Sequence, residues 1–340
     1  MLNSIIQLVR PRQFEMAFED ITPDDAHILV RPTFLSICHA DQRYYQGTRP
    51  EEVLRQKLPM ALIHEGIGRV VYDPAGHFQV GERVVVIPDT PVEHDDIIAE
   101  NYLRSTKFRG SSMNGLMQEY VETVEDRIVR VPEGLDDHVA AFTEMVSVCY
   151  HAISRFDRIA HARRDHIGVW GDGNMGYITA LLLRTRFPQM RLTVFGVNEN
   201  KLSDFTFADD VCVVTAIPPS LEIDHAFECV GGNGSASAIS QIIDHIRPEG
   251  TIALTGVSEN PVPVNTRMVL EKGLRLYGTS RSGREDYVGL LDLYANNPRL
   301  TQYLSTLIGG VVPVSSIKQA RDAFEMDIHK FMGKTIMEWS

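Results

Sequence analysis

The chain has 340 residues, enough for two domains or one large one, and its 44% hydrophobic and 23% charged content excludes disordered and collagen-like classes. Forty-five acidic residues against 33 basic ones leave a formal net charge of −12, which argues against nucleic-acid and anionic-membrane partners while allowing a small anionic substrate in a local basic pocket. The four cysteines, Cys38, Cys149, Cys212 and Cys229, form no CxxC pair, the N-terminal apolar stretch is too short for a secretory signal, and no run of about 18 apolar residues occurs, so a disulfide framework and a membrane span are not expected and a reducing cytoplasm is.

In chain order, the first 145 residues read mostly as strand. Residues 27–37, 66–73 and 82–92 are short Val/Ile-rich runs between Gly, Pro and Asp breaks. Residues 93–115 are polar and irregular, an excursion loop with a short helix around 97–102; loops this long in a compact domain are usually functional or mobile. Strand character returns over 115–124. Residues 136–156 are apolar at helical spacing with acids in the first turn. An alternation follows: strand 166–171, helix 174–187, strands 191–196, 211–215 and 225–230, helix 235–246, strand 251–257. Apolar strands interleaved with helices predict βαβ units on a parallel sheet. A helix over 315–327 and a strand over 334–339 close the chain.

The strand Ile167–Trp170 runs into Gly171-Asp172-Gly173-Asn174-Met175-Gly176, which opens an apolar helix. In that context GxGxxG predicts dinucleotide binding. The first glycine permits the tight turn, the second lets backbone approach a pyrophosphate, and the third lets helix pack on strand. The next strand should end in an acid for the ribose 2′-hydroxyl, and here Gly196 stands in that place. A glycine leaves room for a 2′-phosphate, and Asn198, Asn200 and Lys201 can supply donors and positive charge. NADP(H) is therefore expected, the alternative being that Glu199 takes the ribose role.

Cys38, the pair His64-Glu65, and Glu144 offer a thiolate, an imidazole and carboxylates. These donor types suit a catalytic zinc, which takes about three protein ligands and keeps one position open. Each is unremarkable alone.

Together the residues carry a resemblance. Cys38-x-x-Asp41, His64-Glu65-x-x-Gly68, Gly81-x-Arg83-Val84, Glu144, the GxGxxG, Gly278-Thr279-Ser280-Arg281 and the closing Gly333-Lys334 stand in the order found in zinc-dependent medium-chain alcohol and polyol dehydrogenases. Within that family the strings 38–47, 57–66, 170–180, 224–232 and 280–287 resemble the ribulose-5-phosphate reductases. The resemblance implies an α/β protein: a GroES-like β-rich catalytic domain over 1–148 and 287–340, and a doubly wound Rossmann domain over 149–286, with the active site in the cleft between. It implies one catalytic zinc on Cys38, His64, Glu65 and Glu144, with Asp41 orienting the histidine. It assigns Gly171, Gly173, Asn174, Met175, Gly176, Asn198, Lys201, Gly256, Ser280 and Arg281 to NADP(H).

The implied reaction is NADPH-dependent reduction of a phosphorylated ketose, ribulose 5-phosphate, to ribitol 5-phosphate. That product feeds CDP-ribitol for teichoic acid or capsule, in a cytoplasmic homodimer alongside a separate cytidylyltransferase. Arg43, Tyr44 and Arg109 are candidates for the substrate phosphate. A zinc polyol dehydrogenase acting on an unphosphorylated sugar alcohol is the alternative, and a non-enzymatic NADPH-binding relative is a further one. Three features depart from the family: Ile63 replaces a glycine before His64, Ala40 replaces a Ser/Thr proton relay, and the four-cysteine structural-zinc lobe is missing.

Overall fold

A computed structural model describes residues Met1–Ser340. The chain divides into two compact units, Met1–Ser147 with Ser282–Ser340, and Val148–Arg281. The first crossing falls inside a long helix, and the return comes at Ser282, earlier than residue 287.

The first unit is built on a seven-stranded sheet. Its order is Ile308–Val314, Lys334–Trp339, Ile28–Ser36, Glu65–Tyr72, Arg83–Val86 and Ile128–Arg130, with Val121–Thr123 pairing on Ile28–Ser36. The only parallel pair is Ile308–Val314 with Lys334–Trp339, and helix Ile317–His329 provides the crossover that a parallel pair requires. A separate hairpin, Leu2–Arg10 with Gln13–Asp20, precedes the sheet. Phe14, Tyr45 and Phe324 form an aromatic group in the core, with ring centroids 4.8–5.5 Å apart.

Register positions the chemistry. Ser36 lies opposite Glu65 on one side and Ile336 on the other. Cys38 is two residues beyond Ser36, His64 one before Glu65, and Lys334 two before Ile336. Three segments remote in sequence thus converge at one end of three adjacent strands.

The second unit is a six-stranded, all-parallel sheet, ordered Asp210–Val213, Arg191–Gly196, His166–Trp170, Ile223–Glu228, Ile246–Leu254 and Arg275–Gly278. Every residue of His166–Trp170 and of Ile223–Glu228 is buried, as expected for central parallel strands covered on both faces. Trp170 and Phe195 stack with centroids 3.9 Å apart inside this core.

The helix expected over 136–156 is two pieces, Asp137–Ala140 and Thr143–Ile159. Asp136 caps the first by accepting the His138 and Val139 amides. The helix expected around 97–102 is a single 3₁₀ turn, Glu100–Tyr102. Glu100 ties this excursion down, since its two carboxylate oxygens accept from Arg127 at 3.1 Å each.

Candidate active site

Cys38 is the N-cap of helix His39–Tyr45, and Asp41 sits in that helix's first turn. Asp41 is almost fully buried. Its Oδ2 accepts the Cys38 amide at 3.1 Å and its Oδ1 accepts the Ile63 amide at 3.1 Å. The same Oδ1 stands 3.4 Å from His64 Nδ1. One carboxylate therefore fixes both donor segments and faces one imidazole nitrogen, leaving Nε2 to turn to the other side.

The ligating atoms of Cys38, His64 and Glu65 all lie within 4.8 Å of one another. Glu144, in the first turn of helix Thr143–Ile159, is outside that trio, and its Oε2 is 3.9 Å from His64 Nε2. Phe108 packs its ring 5.2 Å from the imidazole and closes one side.

The electrostatics are those of a buried anionic nest. Burial raises the Cys38 thiol's pKa, and Glu65 adds to the rise. Burial pushes Glu144 up to about 7, with His64 opposing and Glu65 reinforcing. Burial works against charge on His64, but Asp41 and Cys38 outweigh it and hold the imidazole's pKa well above its usual range. A thiol, an imidazole and carboxylates converging at one place are a donor set made for a divalent cation, and N, S and O donors together suit zinc.

Glu65 has a fixed counter-ion. Lys334 Nζ donates to its Oε1 at 3.0 Å and lies 2.8 Å from Oε2, and both side chains are buried. The contact to Oε2 lacks hydrogen-bond geometry, so this oxygen has no hydrogen-bond partner. A buried carboxylate beside Cys38 and His64, with one oxygen held by an ion pair but without a hydrogen bond, fits a metal. Sequence reasoning placed Lys334 only as part of the closing Gly-Lys. Its physical signal was a lysine opening an otherwise apolar strand, KTIMEW.

Ile63 explains its own departure from the family pattern. It occupies the left-handed region at φ +72°, where a β-branched residue is strained. Its side chain is fully buried, and its amide and carbonyl are both engaged, by Asp41 and by the Leu116 amide at 2.7 Å. The chain keeps the glycine-like turn and adds a core side chain to it.

In the second unit the glycine turn has the geometry its sequence predicts. Gly171 has φ +132° and backs onto the Cys229 carbonyl, and a Cβ at Gly176 would collide with the Gly171 carbonyl. Nothing lies within 4 Å of where a Gly173 Cβ would be, so backbone there is open to approach. Asn174 and Met175 open helix Asn174–Arg186, and a helix N-terminus suits a pyrophosphate. Asn198 caps the short helix Glu199–Leu202 by accepting the Asn200 and Lys201 amides. The space directly over Gly196, expected to be open, is filled by Asp172. Gly256 donates its amide to the buried Glu228 at 3.1 Å. Glu228 also accepts the Val230 and Gly231 amides.

Residues 24–133 match the alcohol dehydrogenase GroES-like domain family, and residues 204–296 match the zinc-binding dehydrogenase family. The ribulose-5-phosphate reductase of Bacillus spizizenii is 52% identical over 339 residues, covering 100% of this chain and 99% of that one. Ribulose-5-phosphate reductase 2 of Staphylococcus aureus is 52% identical over 340 residues, covering both chains completely. The chain belongs to the zinc-binding dehydrogenases. Among solved structures, S. aureus TarJ in complex with NADPH superposes with a TM-score of 0.90 at 46% identity, covering 100% of both chains. L-idonate 5-dehydrogenase from Escherichia coli shares the fold at TM-score 0.84 and 19% identity, covering 99% of this chain and 98% of that one.

The remaining predicted residues of this zinc-binding dehydrogenase are dispersed. Arg43 is half-buried in the last turn of helix His39–Tyr45. Tyr44 is buried, with the Arg49 guanidinium 4.8 Å from its ring. Arg109 is buried and donates to the Glu122 carbonyl, so its charge is directed into the fold. Ser280 is exposed, and Arg281 is half-buried with φ +59°. Sequence reasoning also missed the role of a buried hydroxyl group around Glu144. Ser147 donates to the Glu144 carbonyl at 2.6 Å and stands 2.6 Å from Ser282 Oγ. The phenol of Tyr287 is buried as well, and burial together with the Glu144 charge raises its pKa well above the usual range.

Proposed function

We propose that this dehydrogenase reduces D-ribulose 5-phosphate to D-ribitol 5-phosphate, with NADPH as hydride source and one zinc held by Cys38, His64 and Glu65, with Glu144 at hand. The observation that carries the reading is the three-donor cluster, its His64 and Glu65 buried, in a chain 52% identical, end to end, to ribulose-5-phosphate reductases. When bound, zinc supplies Lewis-acid polarisation of the C2 carbonyl and the dinucleotide supplies the hydride. Asp41 orients the His64 ring so that Nε2 faces the site. Lys334 balances the Glu65 charge, and Phe108 with the surrounding apolar residues keeps water away. Ala40 offers no hydroxyl for a proton relay, so the product's proton reaches it by another route. Arg43 and Tyr44 follow Cys38 on one short helix and are the residues we assign to the substrate phosphate, with Arg109 shaping the wall behind them. The dinucleotide rests on the 171–176 turn, with Asn198 and Lys201 at the 2′ end and Gly256, Ser280 and Arg281 contributing further along.

The product supplies CDP-ribitol for wall teichoic acid or capsule through a separate cytidylyltransferase, and the working form is a cytoplasmic homodimer. No helix is long and apolar enough to cross a membrane.

The deciding experiment is NADPH oxidation with D-ribulose 5-phosphate and, separately, D-ribulose, before and after treatment with a zinc chelator. Turnover of the phosphorylated ketose that disappears on chelation and returns with zinc is expected. No turnover by zinc-replete enzyme, or preference for the unphosphorylated sugar, would overturn the assignment. Arg43→Ala should raise KM for ribulose 5-phosphate and spare that for NADPH.

A further inference from the structure

The missing strand-end acid of the cofactor unit has a replacement. Dinucleotide-binding units usually carry, about 20 residues past the glycine turn, a carboxylate that reads the ribose 2′-hydroxyl. Here that place is Gly196, and its emptiness suggested room for a phosphate. The room is taken. A Cβ built on Gly196 would lie 2.6 Å from Asp172 Cβ, 2.7 Å from Oδ2 and 2.9 Å from Cγ. The Asp172 carboxylate therefore stands where a side chain from the end of strand Arg191–Gly196 would begin. It is fixed there, because Oδ2 accepts the amides of Val197 and Asn198 at 2.8 Å each. Those are two amides that an incoming phosphate could otherwise use. Asp172 is also the middle residue of Gly171-Asp172-Gly173, so the turn and the second strand are tied together by one side chain.

Resting on the NADPH reading, we propose that Asp172 is the specificity-determining carboxylate at the 2′ end of the cofactor site, supplied from the glycine turn instead of the strand end. Its free oxygen reads a ribose hydroxyl, and its charge opposes a 2′-phosphate. Preference for the phosphorylated cofactor is then a balance. Asn198 and the Lys201 cation favour the phosphate, and Asp172 limits how far they succeed. Gly196 is glycine because any side chain there would displace Asp172.

The test uses the adenosine halves of the two cofactors on the full-length protein. Dissociation constants for adenosine 2′,5′-bisphosphate and for 5′-AMP are measured by calorimetry in wild type, Asp172→Asn and Lys201→Ala. Asparagine keeps an oxygen to accept the two amides and removes the charge, so the turn survives. Expected for Asp172→Asn is a gain of about tenfold in the preference for the bisphosphate over 5′-AMP, the size of one charge-assisted contact. Lys201→Ala should move the same ratio the opposite way. An unchanged ratio in Asp172→Asn would reduce Asp172 to a structural tie and overturn the proposal, and so would a ratio that falls. Failure of the NADPH reading is a separate outcome, seen as a wild-type protein that binds 5′-AMP as tightly as the bisphosphate. Gly196→Ala is the independent arm. Its methyl group would push Asp172 aside, so its ratio should shift in the same direction as in Asp172→Asn, and no shift counts against the proposal.

Discussion

The two units solve the same problem, holding a charged ligand, by opposite means. In the first unit the proposed donors come from separate segments, with His64, Glu65 and Glu144 buried, and the charges have dedicated partners, Asp41 for His64 and, 269 residues along the chain, Lys334 for Glu65. In the second unit the ligand platform is a contiguous turn, open over Gly173, that leads straight into the N-terminus of helix Asn174–Arg186. The buried site concentrates electrostatic energy and depends on every member. The open turn spreads its contribution over dipoles and depends on shape. Substitutions should therefore act differently in the two places.

The largest effect belongs to the donor trio. Cys38→Ala should remove the zinc and lower kcat by on the order of 10³ or more, since a Lewis acid in a dry site supplies a dominant share of stabilisation. Metal analysis of the purified variant alongside its NADPH-oxidation rate checks this. A variant that keeps its zinc and most of its rate would mean the trio is not the metal site.

Next comes the counter-ion. Lys334→Met strands Glu65 in a buried environment and should cost about 3–5 kcal/mol in urea unfolding. The double variant Glu65→Gln with Lys334→Met should recover a large part of that loss, because the destabilisation comes from an unpaired charge and not from lost packing. If single and double variants are equally unstable, the ion pair is not what matters there. In the other unit, Gly176→Ala adds a methyl against the Gly171 carbonyl and should cost about 1–3 kcal/mol as overpacking, with cofactor binding weakened alongside. The same assay on both variants compares buried charge with local shape directly.

Asp41→Asn is milder again. It keeps an oxygen for the Ile63 amide but loses the charge facing His64, and should weaken zinc by about 10–100-fold. Competition against a chromogenic chelator reads it. An affinity indistinguishable from wild type would leave Asp41 only a backbone tie.

This contrast also decides what was legible in the sequence. The glycine turn is local, so a strand, three glycines and a helix in succession declared it, and the geometry of Gly171 and Gly176 follows from that alone. The proposed metal donors are non-local. Cys38, His64, Glu65 and Glu144 carried no periodic signal, and only their order, shared with a family, linked them. Lys334 was harder still, because its role depends on sheet register, on Ser36 lying between Glu65 and Ile336. The N-terminal hairpin escaped notice because strand Gln13–Asp20 is mostly exposed and lacks clean alternation. Asp172 was hidden by the motif itself, since the middle position of GxG is read as any residue and its side chain's destination is a tertiary fact.

The smallest expected effect lies in the second unit's core, where a buried histidine behaves unlike His64. His225 is fully buried in strand Ile223–Glu228. Its Nδ1 accepts the Thr251 amide at 3.1 Å and its Nε2 faces the Arg163 carbonyl at 2.9 Å. Those partners require the neutral tautomer with the proton on Nε2, because a proton on Nδ1 would meet an N–H donor. Burial, with His161 reinforcing, depresses the pKa to about 4. The unfolded chain binds its proton near pH 6.5, so it takes up more protons than the native state between these values. The stabilisation is thus complete above about pH 6.5 and is lost progressively as pH falls towards 4, about 2 kcal/mol by pH 5. Urea midpoints at pH 7 and pH 5 measure it. His225→Asn should reduce stability at pH 7 and flatten the fall between the two pH values. An equally steep fall in the variant would assign the acid sensitivity to other groups, with the neighbouring Asp224, whose pKa is held down against burial by the His166 amide and by Arg247 and Arg163, the first to test.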